Sequence, residues 1–121
     1  MVTFGRYYLF ANSKQLLTNE IKILKMPAYA IFYLKVFDKE KLQEYKKVAP
    51  EIIKKFEGKV IVSGGEPNSV EGNWNQKRVV VIEFPSLEIA NNWWNSDEYK
   101  KATELRKKAA DTNVLIVDGI L

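Results

Sequence analysis

The chain contains neither cysteine nor histidine. Without cysteine there can be no disulfide, no thiolate nucleophile and no cysteine-held metal. Without histidine, the usual general base near neutral pH and the commonest metal ligand are also missing. A Ser-His-Asp triad or a histidine-anchored metal site cannot form within one chain. Any catalysis would fall to Asp, Glu, Lys, Tyr or Arg, or to reactivity that the substrate brings. Long apolar runs are lacking too, and none approaches the roughly 20 residues that a membrane-spanning helix requires. What remains is an ordinary globular composition, 46% hydrophobic and 28% charged. At 121 residues the chain fits one domain. These absences lead us to expect a cytoplasmic protein with no metal, no cofactor and no membrane partner.

Clustered charge of one sign is the next thing the folded part lacks. The formal net charge is +4, which invites a nucleic-acid reading until the charges are located. Residues 1–25 hold Arg6, Lys14, Lys22 and Lys25 against Glu20, so most of the excess lies there. In the remainder, lysines alternate with acids, as in Asp38-Lys39-Glu40-Lys41, the pattern of a solvated helix face. Nucleic-acid binding needs a basic footprint, and no such partner is expected.

The first 25 residues differ in character from the rest of the chain. The apolar run Tyr7–Ala11 is too short for a secretory signal, and no small-residue cleavage site comes after it. Leu16, Leu17, Ile21 and Leu24 could share one face of a weak helix. We read residues 1–25 as an extension outside the domain and residues 26–121 as the domain itself.

Tyr29–Phe37 is rich in aromatic and branched residues and predicts a strand. Asp38 is placed to cap the next element, a helix. Leu42, Tyr45, Val48, Ala49, Ile52, Ile53 and Phe56 recur at helical spacing and predict one buried stripe. Pro50 interrupts it, so a kink or two abutting helices is expected near Ala49. Gly58 reads as the helix stop. Lys59–Ser63 and Lys77–Phe84 predict two strands of a hairpin around a long loop, Gly64–Gln76, dense in turn formers. Pro85-Ser86 opens a second helical segment, Ser96-Asp97-Glu98 restarts it, and Asn113–Asp118 predicts the last strand.

Two similar halves emerge, each a strand, a cap, a helix and a strand. This is an α+β chain of ferredoxin-like β-α-β-β-α-β type: a four-stranded antiparallel sheet with helices on one face. Helices can cover only one sheet face, yet Val79–Ile82 and Val114–Val117 are apolar at every position. Strands apolar on both faces are buried on both faces. Face-to-face pairing of two sheets in a homodimer is the simplest remedy.

The string Phe84-Pro85-Ser86-Leu87-Glu88 with Ala90, Trp94, Ser96 and Tyr99, then Leu105-Arg106, resembles the signature of an uncharacterised domain-of-unknown-function family (number 1330) in the dimeric α+β barrel superfamily. Tyr45, Pro50, Gly64-Gly65, Glu71-Gly72 and Arg78 fall where that pattern would place them. The resemblance covers about Pro27 to Gly119. It implies a ferredoxin-like protomer and a dimer joined through its sheets, but no activity. Related families include cofactor-free monooxygenases, haem-degrading enzymes, chlorite dismutases and muconolactone isomerases, and histidine-ligated haem chemistry is unsupported in a chain without histidine.

Six residues are candidates for a ligand site. Arg106 lies seven residues beyond Tyr99, on nearly the same side of its helix. Its guanidinium could meet a carboxylate or phenolate ligand, or pair internally with Glu71 or Glu83. Arg78 begins a strand beside the long loop, at a pocket rim or a hairpin edge. Trp93 and Trp94 point about 100° apart; one belongs in the core, and Trp94 is the candidate to line a pocket or an interface. Tyr33 and Tyr45 are either pocket hydroxyl donors or core tyrosines. Gly64-Gly65 is no phosphate loop, because it lacks a trailing Gly-Lys-Ser/Thr. Two functions stay open. The first is a small-molecule site between helices and sheet, on which Arg106, a tryptophan and a tyrosine converge, acting without cofactor on a small aromatic or carboxylate compound. The second is a non-catalytic homodimeric assembly module with a filled core.

Overall fold

A strand that is apolar on both faces belongs in the middle of a sheet, and β1 (Ala28–Val36) takes that place. The computed structural model describes residues 26–74 and 78–120. After β1 come α1 (Lys39–Lys55), β2 (Lys59–Gly64), β3 (Arg78–Phe84), α2 (Leu87–Asn95), α3 (Asp97–Lys107) and β4 (Ala110–Asp118). The four strands lie in the order β2-β3-β1-β4, with every neighbouring pair antiparallel. This is the ferredoxin-like α+β fold, with the helices on one face. The reading of residues 1–25 lies outside the described residues, as does Lys77.

Each helix begins where the sequence supplies a cap. The Asp38 carboxylate accepts from the Lys41 backbone N–H at 3.0 Å. Ser86 and Ser96 accept from Ile89 and Tyr99 in the same way, each at 3.1 Å.

Several boundaries and details differ from expectation. Helix α1 runs unbroken through Pro50 rather than splitting in two. Pro50 sits at an exposed position, so the Lys46 carbonyl it leaves unbonded can be solvated. Val48, expected in the buried stripe, is 40% exposed. The left-handed residue that ends α1 is Glu57, with φ 61°, and not Gly58. Gly58 is needed for space: a Cβ there would stand 2.6 Å from the Phe84 ring and 2.7 Å from Ile53. Strand β1 stops at Val36, where the N–H groups of Phe37 and Asp38 turn to the Ala109 carbonyl. Strand β4 starts three residues early, at Ala110, because β1 offers partners as far as Val36.

Alternation along the strands sorts side chains between two environments. Ala28, Ala30, Phe32 and Leu34 of β1, with Ile82 and Phe84 of β3, face the helices and are buried. Tyr29, Ile31 and Tyr33 face the other way, beside Val81 and Leu115 in register with Ile31. Among the described residues no helix covers that second face, and Leu115 is 49% and Val117 43% exposed.

Candidate functional site

The aromatic cluster arises from the joint between α2 and α3. The Ser96 hydroxyl donates to the Trp93 carbonyl at 2.7 Å and caps α3 through the Tyr99 N–H. The two short helices are thereby fixed so that Trp93 and Tyr99 turn inward together, with ring centroids 4.2 Å apart and both side chains fully buried. Phe84 packs on the far side of Trp93 at 4.9 Å, and Trp94 touches Tyr99 at 5.6 Å.

Arg106 enters this cluster from the last turn of α3. It is 3% exposed, the single buried charged side chain among the described residues. The alternative of an internal ion pair with Glu71 or Glu83 is not what forms. Glu71 stands exposed in the loop, and Glu83 points to the opposite sheet face, where it accepts from the Tyr29 hydroxyl at 3.2 Å. The guanidinium instead lies 5.3 Å from the Phe32 ring centroid, 5.7 Å from that of Tyr45, and 5.9 Å from those of Trp94 and Tyr99. A desolvated cation over several ring faces gains on the order of 2 kcal/mol or more. Its Nη1 donates to the Tyr99 hydroxyl at 3.1 Å, while its Nε is buried without a partner. The Tyr99 and Tyr45 hydroxyls are 2.7 Å apart. Burial pushes the pKa of both phenols up, against the pull of the Arg106 charge, so both are neutral at physiological pH.

Beside this cluster lies a cavity of about 220 Å³. It exists because α1 leans on α3 and stands off from the β2–β3 half of the sheet. Leu42, Ala49 and Ile53 of α1 form its roof, and Leu34, Val80 and Ile82 its floor. Its polar lining comes from Tyr45, Lys46, Ser63 and Arg78. Arg78 Nη2 donates to Ser63 Oγ at 3.0 Å, and Arg78 Nε is buried with no partner. Among the described residues no carboxylate lines the cavity, and the two charged groups that do, Lys46 and Arg78, are both cationic. Among the described residues no cluster of acidic side chains could hold a metal ion.

The six predicted residues therefore divide three ways. Trp94, Tyr99 and Arg106 form the buried cluster, behind the cavity wall. Arg78 lies in the cavity, and Tyr45 belongs to both, lining the cavity while bonded to Tyr99. Tyr33 is on the opposite sheet face, with Trp74 of the long loop against it at 5.3 Å. Sequence reasoning missed Lys46, Ser63 and Trp74. Lys46 precedes Pro50 by four residues, a spacing that puts both on one helix side, and this signal was available. Ser63 was not legible, because a bulge between Val60 and Val62 shifts the alternation and turns Val60 and Ser63 to the same face.

No curated protein sequence matches the chain. A protein of unknown function from Rhodopseudomonas palustris superposes with a TM-score of 0.65 at 13% identity, covering 93% of this chain and 97% of its own. A dimeric protein of unknown function with a ferredoxin-like fold, from Bacteroides fragilis, gives 0.50 at 16% identity over 77% and 96%. The cofactor-independent oxygenase SnoaB from Streptomyces nogalater gives 0.52 at 6% identity over 79% and 95%. At these identities the likeness is one of fold. Among the described residues, no helix is long and apolar enough to cross a membrane. The family model described as a domain of unknown function (DUF1330) matches residues 27–120. A fold shared with those structures and a family match over nearly the whole described chain agree, and this chain belongs to the DUF1330 family.

Proposed function

We propose that this protein binds a small apolar compound bearing a carboxylate in the cavity between α1 and the sheet. The observation that carries this reading is the cavity's lining among the described residues: apolar walls, two cations, the hydroxyl-bearing Ser63 and Tyr45, and no acid. A carboxylate would take the unpartnered Arg78 Nε together with Ser63 Oγ, and Lys46 at the rim would add attraction. The hydrocarbon part of the ligand would replace water against Leu42, Val80 and Ile82, at about 25 cal/mol per Å² buried.

We further propose that any chemistry at this site proceeds without metal or organic cofactor, as a cofactor-independent oxygenase of the same fold does. The protein would act as a cytoplasmic homodimer, residues 26–121 forming the domain and residues 1–25 an extension. Sheet-to-sheet pairing is supported by the exposed Leu115 and Val117 and by a dimeric protein of similar fold. One observation favours the assembly-module reading instead, namely that the Arg106 guanidinium is held internally, by a hydrogen bond to Tyr99 and by the faces of four rings, behind the cavity wall.

The test is thermal unfolding against benzoate, 4-phenylbutyrate and octanoate, with the solution mass measured alongside. A ligand binding only the folded state raises the midpoint by mass action. A rise with any of these acids that Arg78→Met abolishes supports the cavity. A dimer indifferent to all three leaves the assembly module as the better reading, and a monomer ends the sheet-pairing proposal.

A further inference from the structure

The buried cluster and the cavity share one residue, Tyr45, and the hydrogen bonds that reach it have a direction. Arg106 Nη1 can only donate, so the Tyr99 oxygen is an acceptor there. Tyr99 is fully buried, and its own O–H proton has one partner within reach, the Tyr45 oxygen at 2.7 Å. Were Tyr45 to donate to Tyr99 instead, the Tyr99 proton would be buried without an acceptor, at a cost of about 1–3 kcal/mol. A hydroxyl that accepts from a cation also becomes a stronger donor, because chained hydrogen bonds polarise one another. The line therefore runs from Arg106 through Tyr99 to Tyr45. It leaves the Tyr45 proton as its free end, on a side chain that lines the cavity.

We propose that Tyr45 is a polarised hydrogen-bond donor to the cavity's ligand, and that Tyr99 and Arg106 are the positioning residues that make it one. This inference rests on the carboxylate-binding reading and narrows it. The ligand carries a second oxygen, a carbonyl or phenolate, that accepts from Tyr45 while its carboxylate is held by Arg78. Tyr45 does not act as a base, since burial keeps its phenol protonated. Partial negative charge growing on the ligand oxygen would be stabilised through a chain of three hydrogen bonds, by way of Tyr45 and Tyr99, by a guanidinium that no carboxylate among the described residues neutralises. Such a group favours enolate-like states of a bound ketone.

A matched pair of probes tests this. 3-Benzoylpropionate and 4-phenylbutyrate share a phenyl ring, a carboxylate and a flexible chain, and differ by a ketone in place of a methylene. The parent protein is expected to bind the ketone about tenfold more tightly, the worth of one hydrogen bond of about 1.4 kcal/mol. Tyr45→Phe, which keeps the ring, is expected to bring that ratio close to one, and Tyr99→Phe to lower it severalfold. The ketone 13C resonance should move downfield on binding to the parent, by less in Tyr99→Phe and not at all in Tyr45→Phe. A loss of packing would not produce that graded series, and unfolded variants are recognised by their circular dichroism. Equal affinity for the two probes, or a preference that survives Tyr45→Phe, overturns the inference while leaving the cavity reading intact. Failure of both probes to bind overturns the two together.

Discussion

The two halves of the helical layer rest on the same sheet and treat it differently. Helices α2 and α3 drive Trp93 and Tyr99 into the sheet beside Phe84 until no space remains. Helix α1 leans sideways on α3 and leaves about 220 Å³ between itself and β2–β3. One half is stabilised by large rings in contact; the other gives up contacts and keeps room. Protein interiors are packed to crystal-like density, so an unfilled half is a departure from the rule, and binding sites are built from such departures.

The comparison is broken most severely at Trp93. Trp93→Ala is expected to cost about 3–5 kcal/mol in denaturant unfolding, because its rigid neighbours cannot collapse into the hole. An effect under 1 kcal/mol would mean that the packed half is no better filled than the open one. Tyr99→Phe is next, at about 1.5–3 kcal/mol, since it strands a buried charged donor of Arg106. The same phenols predict an alkaline limit. Their folded pKa values lie above the ordinary 10.0, so their contribution is present below pH 10 and is lost as the pH rises above it. The Tyr45→Phe, Tyr99→Phe double variant should show a shallower decline in stability above pH 10 than the parent.

Gly58→Ala probes the boundary between the halves. The new methyl would strike Phe84 on the packed side and Ile53 on the cavity side. Ile53 has free space to move into, so the cost should be about 1–2 kcal/mol, the low end for overpacking. If Ile53 is displaced inward, the same variant should also weaken binding of carboxylate probes. The smallest effect on stability is expected at the cavity floor. Val80→Leu should shift stability by less than about 1 kcal/mol, because it fills existing space, yet it should reduce the ligand-induced rise in unfolding midpoint.

The architecture was legible in the sequence because its cues are local. Asp38, Ser86 and Ser96 announced three helix starts, and the apolar runs announced four strands. The partition of Trp93 from Trp94 came from their angular separation: Trp93 is fully buried and Trp94 partly so. The pairing of Tyr99 with Arg106 was legible from a spacing of seven. The cavity was not, because the stand-off of a helix is set by how it rests on another helix, and no local pattern encodes that. Pro50 looked like a break and is a rim residue of an unbroken helix; sequence alone does not say that it lies where water can reach.

The bulge between Val60 and Val62 carries a consequence beyond turning Ser63 toward the cavity. Strand β2 is the sheet's margin, with Val60, Ile61 and Val62 exposed in succession. A flat margin of that composition would be a template for intermolecular strand addition and fibre growth. The extra residue twists the strand and breaks the regular spacing of its unpaired amides and carbonyls, so an incoming strand cannot zip along it. The irregularity that lends the cavity its serine also guards the protein against aggregation.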